Sequence, residues 1–209
     1  SERLASIGRL AAGVAHEIGN PITGIACLAQ NLRDEREADE EIVEISGQII
    51  EQPKRVSRIV QSLMSFAHAG ARQQRLYPVS LAQVTQDAIG LLSLNRNRTE
   101  VRFVNACAPE HLADGDPQRL AQVLINLLSN ARDASPPGGL IRISSEVAEQ
   151  TVYLVVEDEG SGIPKEIQDR LFEPFFTTKD PGEGTGLGLA LVYSIIEEHY
   201  GQIDIDSPA

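Results

Sequence analysis

From the start of the chain, Leu4, Ile7, Ala11, Val14, Ile18, Ile22, Ile25, Ala29 and Leu32 recur at steps of three and four, the spacing of one apolar face on an α-helix. The charged run from Arg33 to Glu40 interrupts this stripe, and a second one follows through Ile42, Ile45, Ile49, Val56, Ile59, Leu63 and Phe66. The economical reading is a helical hairpin. Two helices alone cannot cover both stripes and their flanks, so a second copy of the hairpin is expected to complete a dimeric four-helix bundle. Pro21 and Pro53 should each kink their helix, because proline lacks an amide donor and crowds the preceding turn.

Beyond His68 to Arg75 the pattern changes. A linker is expected to end near Tyr77-Pro78, with Leu76 to Pro78 as a hinge. Leu81 to Leu94 then predicts a helix and Val101 to Asn105 a strand. Pro117 to Ala134 predicts a helix that opens after the Asp116 cap and stops before Ser135-Pro136-Pro137-Gly138-Gly139. Leu140 to Val147 and Thr151 to Val156 alternate or run apolar like paired strands. Pro164 to Leu171 and Leu187 to Tyr200 predict helices, and Gln202 to Asp206 a last short strand. Strands and helices mixed without regular βα alternation imply an α/β sandwich, with helices on one face of a mixed sheet. The whole chain is therefore expected to be α+β, with a helical domain at 1–76 and a sandwich at 77–209.

Composition narrows the function. With 209 residues, 42% hydrophobic and 23% charged, the chain is long enough for two folded units and is not disordered. Aromatics are only 4% and Trp is absent, so aliphatic burial must carry the core. Eighteen basic against 30 acidic side chains give a net charge of −12, which repels nucleic acid and anionic membrane surfaces. The acidity is uneven: Ser1 to Leu76 carry 9 basic and 10 acidic residues (net −1), Tyr77 to Ala209 9 and 20 (net −11). Cys27 and Cys107 fit neither a disulfide framework nor a zinc site and point to a reducing, cytoplasmic setting. No apolar run approaches the roughly 20 residues of a membrane span. The chain opens partway into a helical pattern, as a piece of a longer protein would, and that parent could be membrane-anchored.

Four constellations could carry chemistry. In His16-Glu17-Ile18-Gly19-Asn20-Pro21, His16 lies off the apolar seam, with Glu17 beside it and Asn20 one turn on along the same face. A neutral imidazole is a nucleophile near neutral pH, and an adjacent acid can orient or deprotonate it. A surface His beside a surface Glu would look the same in isolation. Asn126, Asn130 and Asp133 form a polar stripe opposite Leu120, Leu124 and Leu128. Asparagine disfavours helix interiors, and its carbonyl oxygen suits a hard cation such as Mg²⁺. In Val155 to Pro164 an apolar strand delivers Asp158 into a turn with Gly160 and Gly162, followed by Ile163. Such an Asp can accept from an exocyclic amine like that of adenine, while glycines allow close approach. Finally, Gly184-Thr185-Gly186-Leu187-Gly188 opens a helix, where converging amides and the helix dipole favour phosphate. Before it, Phe172-Glu173-Pro174-Phe175-Phe176-Thr177-Thr178-Lys179 offers an aromatic anchor, and a cation at Lys179 able to reach a γ-phosphate. The spacing is neither that of a Walker A loop nor that of a dinucleotide fingerprint.

In order and spacing these pieces resemble the catalytic core of the sensor histidine kinases of two-component signalling. The hairpin resembles their dimerisation and phosphotransfer domain of HisKA type. Asn126 to Asn130, Asp158 to Gly162, Phe172 to Phe176 and Gly184 to Gly188 resemble the N, G1, F and G2 boxes of the Bergerat, or GHKL, ATP-binding fold. The resemblance implies that His16 is the phosphoacceptor and Glu17 the acid that activates it. Asn20 matches the polar residue associated with dephosphorylating the partner. It further implies ATP and Mg²⁺ as cofactors, with Asn126 and Asn130 as ligands of Mg²⁺ and phosphate and Asp158 as the adenine anchor. Asp133, Gly160, Gly162, Ile163, Phe175, Thr178, Lys179, Gly184, Thr185, Gly186, Leu187 and Gly188 would line the nucleotide. The implied partners are a second copy of the chain and a response-regulator receiver domain, with no nucleic acid and no membrane contact by this segment.

Three departures from the family pattern stand out. Gly19 replaces a common Arg and leaves the helix more pliable before Pro21. Asp133 and Ala134 stand where some members carry a Lys and an aromatic that touch nucleotide, which leaves Lys179 as the substitute. The sequence given also stops before the family's last glycine-rich turn and strand, so the sheet is expected to lack an edge strand. Two rival readings are a Ser/Thr-directed kinase or plain ATPase of the same sandwich, and a nucleotide-sensing scaffold without phosphotransfer. Phosphoamino-acid stability separates the first from a histidine kinase; absence of any phosphoprotein identifies the second.

Overall fold

The computed structural model describes residues 22–35, 39–68, 76–94, 100–179 and 184–207, with the side chains of 54, 55, 57–59 and 61–68 excepted. His16, Glu17, Asn20 and Pro21 lie outside the described residues. The chain divides into two compact units, Ser1–Arg72 with Phe175–Leu187, and Gln73–Pro174 with Gly188–Ala209.

In the first unit, helix α1 covers 22–35 and α2 covers Glu40–His68. Asp39 starts α2: its carboxylate accepts from the Ile42 amide at 3.3 Å and its carbonyl from the Val43 amide at 3.0 Å. The helix assignment runs through Pro53 without a break. Ala29, Ser46 and Pro53 are buried. Of the apolar stripes, Ile22, Ile42 and Val56 are half-buried while Ile25, Leu32, Ile45 and Ile49 stay exposed; beside them Leu28 is 71% exposed. Among the described residues, then, one chain leaves part of this apolar pattern exposed.

The second unit is a sandwich. Strands β2 (Arg102–Ala106), β4 (Leu140–Ala148) and β5 (Thr151–Asp158) form a sheet in the order β2-β4-β5, parallel then antiparallel. Helices α3 (Leu81–Ser93) and α4 (Pro117–Ala134) supply side chains to its core. Leu124, Leu128, Ile141 and Ile143 are fully buried and meet Val84, Ala88 and Ala131. Asp116 caps α4 by accepting from the Gln118 and Arg119 amides, and Pro117 follows at the first helical position, so these two residues set the start that the sequence predicts. Helix α6 (Gly188–Glu198) packs on α4.

Several expectations need correction. Strand β1 (Tyr77–Ser80), absent from the expected elements, begins where the linker was expected to end and runs antiparallel to β3 (Leu112–Gly115), with Tyr77 opposite Gly115. Four-residue strands paired across the intervening α3 and β2 leave too short an alternation to read locally. Pro164 to Leu171 yields only α5 (Lys165–Gln168), followed by turns, and α6 is shorter at both ends than expected. Gln202 to Asp206 forms no strand. Its side chains alternate as expected, with Ile203 and Ile205 half-buried and their neighbours exposed. Alternation reports which side faces the protein; a strand also needs a ladder of backbone bonds, and the described residues provide none there.

Candidate functional site

Helix α4 is the organising element. Its apolar side is sealed in the core at Leu124 and Leu128, which turns Asn126 and Asn130 to a half-buried face and leaves Asp133 exposed. The Asn126 amide nitrogen is buried and has no hydrogen-bond partner among the described residues. Leaving such a donor unpaired is costly, so it is a group waiting for an acceptor. Asn126 faces the first residue of α6: a Cβ added at Gly188 would lie 3.7 Å from Asn126 Oδ1. The start of α6, where backbone amides lack helical partners, therefore sits against the Asn126 end of the Asn126–Asn130–Asp133 stripe.

The other end of α4 meets the glycine turn that follows β5. Asp158 Oδ1 accepts from the Gly160 amide at 2.8 Å, folding the turn on itself. A Cβ at Gly160 would stand 2.6 Å from Asp158 Oδ1, 2.9 Å from Ala134 Cβ and 3.0 Å from the Ala134 carbonyl. Gly160 is thus required by close approach to the last turn of α4. Gly162 adopts φ +75°, the left-handed region open to glycine. The Ile163 amide donates to Ser207 Oγ at 2.8 Å, which ties the turn to the C-terminal segment. At 1.5 Å per residue, Asn126 to Ala134 spans about 12 Å. One end of that span carries amides suited to phosphate, the other a carboxylate suited to an amino group, which is the polarity of a nucleotide.

In the segment Phe175–Leu187, Phe175 N–H donates to the Gly186 carbonyl at 2.8 Å. Both residues have positive φ, +70° and +65°, and a Cβ at Gly186 would fall 2.3 Å from the Phe175 carbonyl carbon. Only glycine fits there. A Cβ added at Gly184 would likewise fall 2.5 Å from Thr177 Oγ1, and Thr185 Oγ1 accepts from the Leu187 amide at 3.4 Å. Leu187 is buried, while Thr178 is exposed and the Lys179 amide donates to Thr177 Oγ1 at 3.2 Å. Of the aromatics in the stretch expected to act as an anchor, Phe175 is 65% exposed, whereas the Phe172 ring lies 5.4 Å from that of Tyr193 on α6. Tyr193 is hydrogen-bonded to Glu197, whose charge first and hydrogen bond second raise the phenol above its ordinary value, with a smaller contribution from burial. Sequence reading overlooked Tyr193; its spacing of four from Glu197 on one helix face was the available signal.

Residues 115–209 match the family described as histidine kinase-, DNA gyrase B- and HSP90-like ATPase, and residues 6–72 the His Kinase A (phospho-acceptor) domain. The sensor histidine kinase ZraS of Escherichia coli K12 is 36% identical over 209 residues, 99% of this chain and 44% of the relative. Full-length ShkA, solved in complex with AMPPNP, is 25% identical with a TM-score of 0.68, covering 91% of this chain and 41% of that one. Histidine kinase ThkA, solved with the response regulator TrrA, is 29% identical with a TM-score of 0.62, covering 96% of this chain and 57% of that one. The chain belongs to the histidine kinase family and comprises its phospho-acceptor domain and its GHKL-type ATP-binding domain. It spans less than half of the length of the curated relatives it matches, from 28% to 44%.

Proposed function

We propose that this chain is the core of a two-component sensor kinase. In this reading it transfers the γ-phosphoryl of Mg-ATP to His16 and then to an Asp of a response-regulator receiver domain, and its functional domains are 1–76 and 77–209. One observation carries the reading: the stripe on α4 has the α6 N-terminus at its Asn126 end and the Asp158–Gly162 turn against Ala134 at its other end, in a chain whose phospho-acceptor match includes His16. Asp158 accepts from the adenine amine, with Gly160 and Gly162 giving the base room and Ile163 flanking it. Asn126 and Asn130 turn amide groups to the phosphates, the buried Asn126 donor finding the acceptor it lacks. By their match to the family's boxes, Gly184, Thr185, Gly186, Leu187 and Gly188 are assigned to the phosphate chain, and Phe175, Thr178 and Lys179 to the nucleotide, with Lys179 adding positive charge.

Among the described residues no cluster of His, Cys, Asp and Glu could hold a metal by itself. The Asn126 and Asn130 oxygens fit a cation that completes its shell with phosphate and water. Bound there, Mg²⁺ would neutralise charge on the phosphates. Glu17 holds the His16 imidazole as a nucleophile by accepting its other ring proton, and Asn20 positions a water for dephosphorylation of the regulator. Phosphoryl transfer asks mainly for positioning and charge stabilisation, which these groups supply. The exposed Ile25, Leu28, Leu32, Ile45 and Ile49 support a homodimer through the hairpin. A cytoplasmic setting accords with two free cysteines, and among the described residues no helix is long and apolar enough to cross a membrane.

The test is incubation with γ-labelled ATP and Mg²⁺ followed by mapping of the label. Alkali-stable, acid-labile label on His16, lost in His16→Gln with nucleotide binding retained, is the expected result. Label surviving that substitution, or nucleotide binding without any phosphoprotein, overturns it.

A further inference from the structure

Helix α6 meets α4 at both of its ends. At its start Gly188 faces Asn126. At its other end, about 15 Å further along, His199 follows the last helical residue and reaches the cap of α4. His199 Nδ1 pairs with the Ile195 carbonyl at 2.7 Å, and Nε2 accepts from the Asp116 amide at 3.0 Å. A carbonyl can only accept and a backbone amide can only donate, so the two bonds together put the ring proton on Nδ1 and the lone pair on Nε2. The slot is cut to the ring: a Cβ added at buried Gly115 would fall 3.0 Å from His199 Cδ2 and 2.7 Å from Leu120 Cδ1. Beside it, Arg119 donates from Nη2 to Glu198 Oε2 at 2.9 Å. That ion pair touches at one point, since Arg119 Nε and Glu198 Oε1 are buried and find no partner among the described residues. A one-point pair can pivot and lacks the geometric definition of a two-point one. An imidazole held at both nitrogens in a closed slot cannot pivot. Immediately after it Tyr200 turns the chain at φ +57° with its side chain 91% exposed. A bulky residue is strained there, and its exposed side chain returns little, so the turn depends on its neighbours being anchored.

We propose that His199 is a positioning residue for the nucleotide site: by bridging the end of α6 to the Asp116 cap it sets the register of α6 along α4 and so holds the start of α6 against Asn126. The consequence for ATP rests on the function proposed above; the bridge itself does not.

The test uses the whole chain. In long-range proton–nitrogen NMR spectra of the wild type at mildly alkaline pH, the His199 proton should sit on Nδ1. His199→Ala and His199→Asn should both shift the Asn126 side-chain amide signals in nucleotide-free protein. Both should also weaken ATP binding about two- to tenfold, the range that one net hydrogen bond corresponds to. Asn keeps a donor for Ile195 but is too short to reach the Asp116 amide. His199→Gln carries an acceptor out to the Nε2 position, so its Asn126 signals should stay in place and its ATP affinity should remain within about twofold of wild type. Val84→Ala separates positioning from general stability: it truncates the core of the sandwich on α3 and should lower the urea midpoint while leaving ATP affinity within about twofold. A proton on Nε2, a Gln variant as impaired as Ala, or a Val84→Ala that weakens ATP as much as His199→Ala overturns the proposal. If the Asn126 signals move in Ala and Asn but not in Gln while the wild-type chain fails to bind ATP, the bridge stands and the kinase reading falls.

Discussion

Replacing Gly160 by Ala isolates the adenine end of the site. The new methyl would fall 2.6 Å from Asp158 Oδ1 and within 3.0 Å of Ala134 Cβ and carbonyl. Ala134 is backbone and methyl at the end of α4 and has no flexible tip to swing away, so the turn must open. Opening it breaks the 2.8 Å bond from the Gly160 amide to Asp158 and carries the carboxylate off its position. A hydrogen bond to a charged group is worth about 1.5–3 kcal/mol, so an adenine that loses Asp158 should bind about 10- to 100-fold more weakly. Stability should fall by only about 1–3 kcal/mol, the range for a local overpacking. Titration with a fluorescent ATP analogue, alongside urea unfolding, reads both. Asp158→Ala should match the loss in affinity without the overpacking. Gly90→Ala is the control: its Cβ meets nothing within 4 Å on α3, so it should leave affinity unchanged and stabilise by up to about 1 kcal/mol. Nucleotide affinity within twofold of wild type in Gly160→Ala would refute the placement of the base against this turn.

Other expectations follow from single contacts. Leu124→Ala empties a fully buried position between α4 and the sheet and should cost about 2.7–5 kcal/mol in urea unfolding; a loss below about 1 kcal/mol would mean that the core there collapses freely. Asp116→Ala removes the acceptor for two α4 amides, at 2.8 and 3.2 Å, and should lower stability by about 1 kcal/mol, with Asp116→Asn largely restoring it. Chelating Mg²⁺ should sharply weaken nucleotide binding by the wild-type chain. The same treatment should matter much less in Asn130→Ala, whose affinity is already reduced; equal sensitivity in the two proteins would remove Asn130 from the cation's shell.

What was legible in the sequence depended on how local its cause is. The bounds of α4 emerge where expected, because Asp116, Pro117 and the break at Ser135-Pro136 act within a turn of the helix end they fix. Strands β4 and β5 extend only one and two residues past their expected ends, since hairpin neighbours share one alternation. β1 and β3 escaped notice because each is four residues long and finds its partner across α3 and β2.

The same distinction runs through the site. Asp158, Gly160 and Gly162 could be named as a unit because the bond that folds the turn links neighbours in sequence. That Gly160 is compulsory because of Ala134, or that Gly188 stands against Asn126, could not be read from spacing, since the sandwich itself brings α4, the β5 turn and α6 together. The hydrophobic hairpin is the converse case. Its stripes were plain in the sequence, yet among the described residues a single copy covers Ala29, Ser46 and Pro53 and leaves Ile25 and Ile45 of the stripes, with Leu28 beside them, in water. Periodicity records every surface a helix must cover, including any covered by a second molecule. The exposed remainder is therefore information about assembly, and polar substitution at Leu28 should weaken self-association while leaving the sandwich core, which shares none of these residues, unaltered.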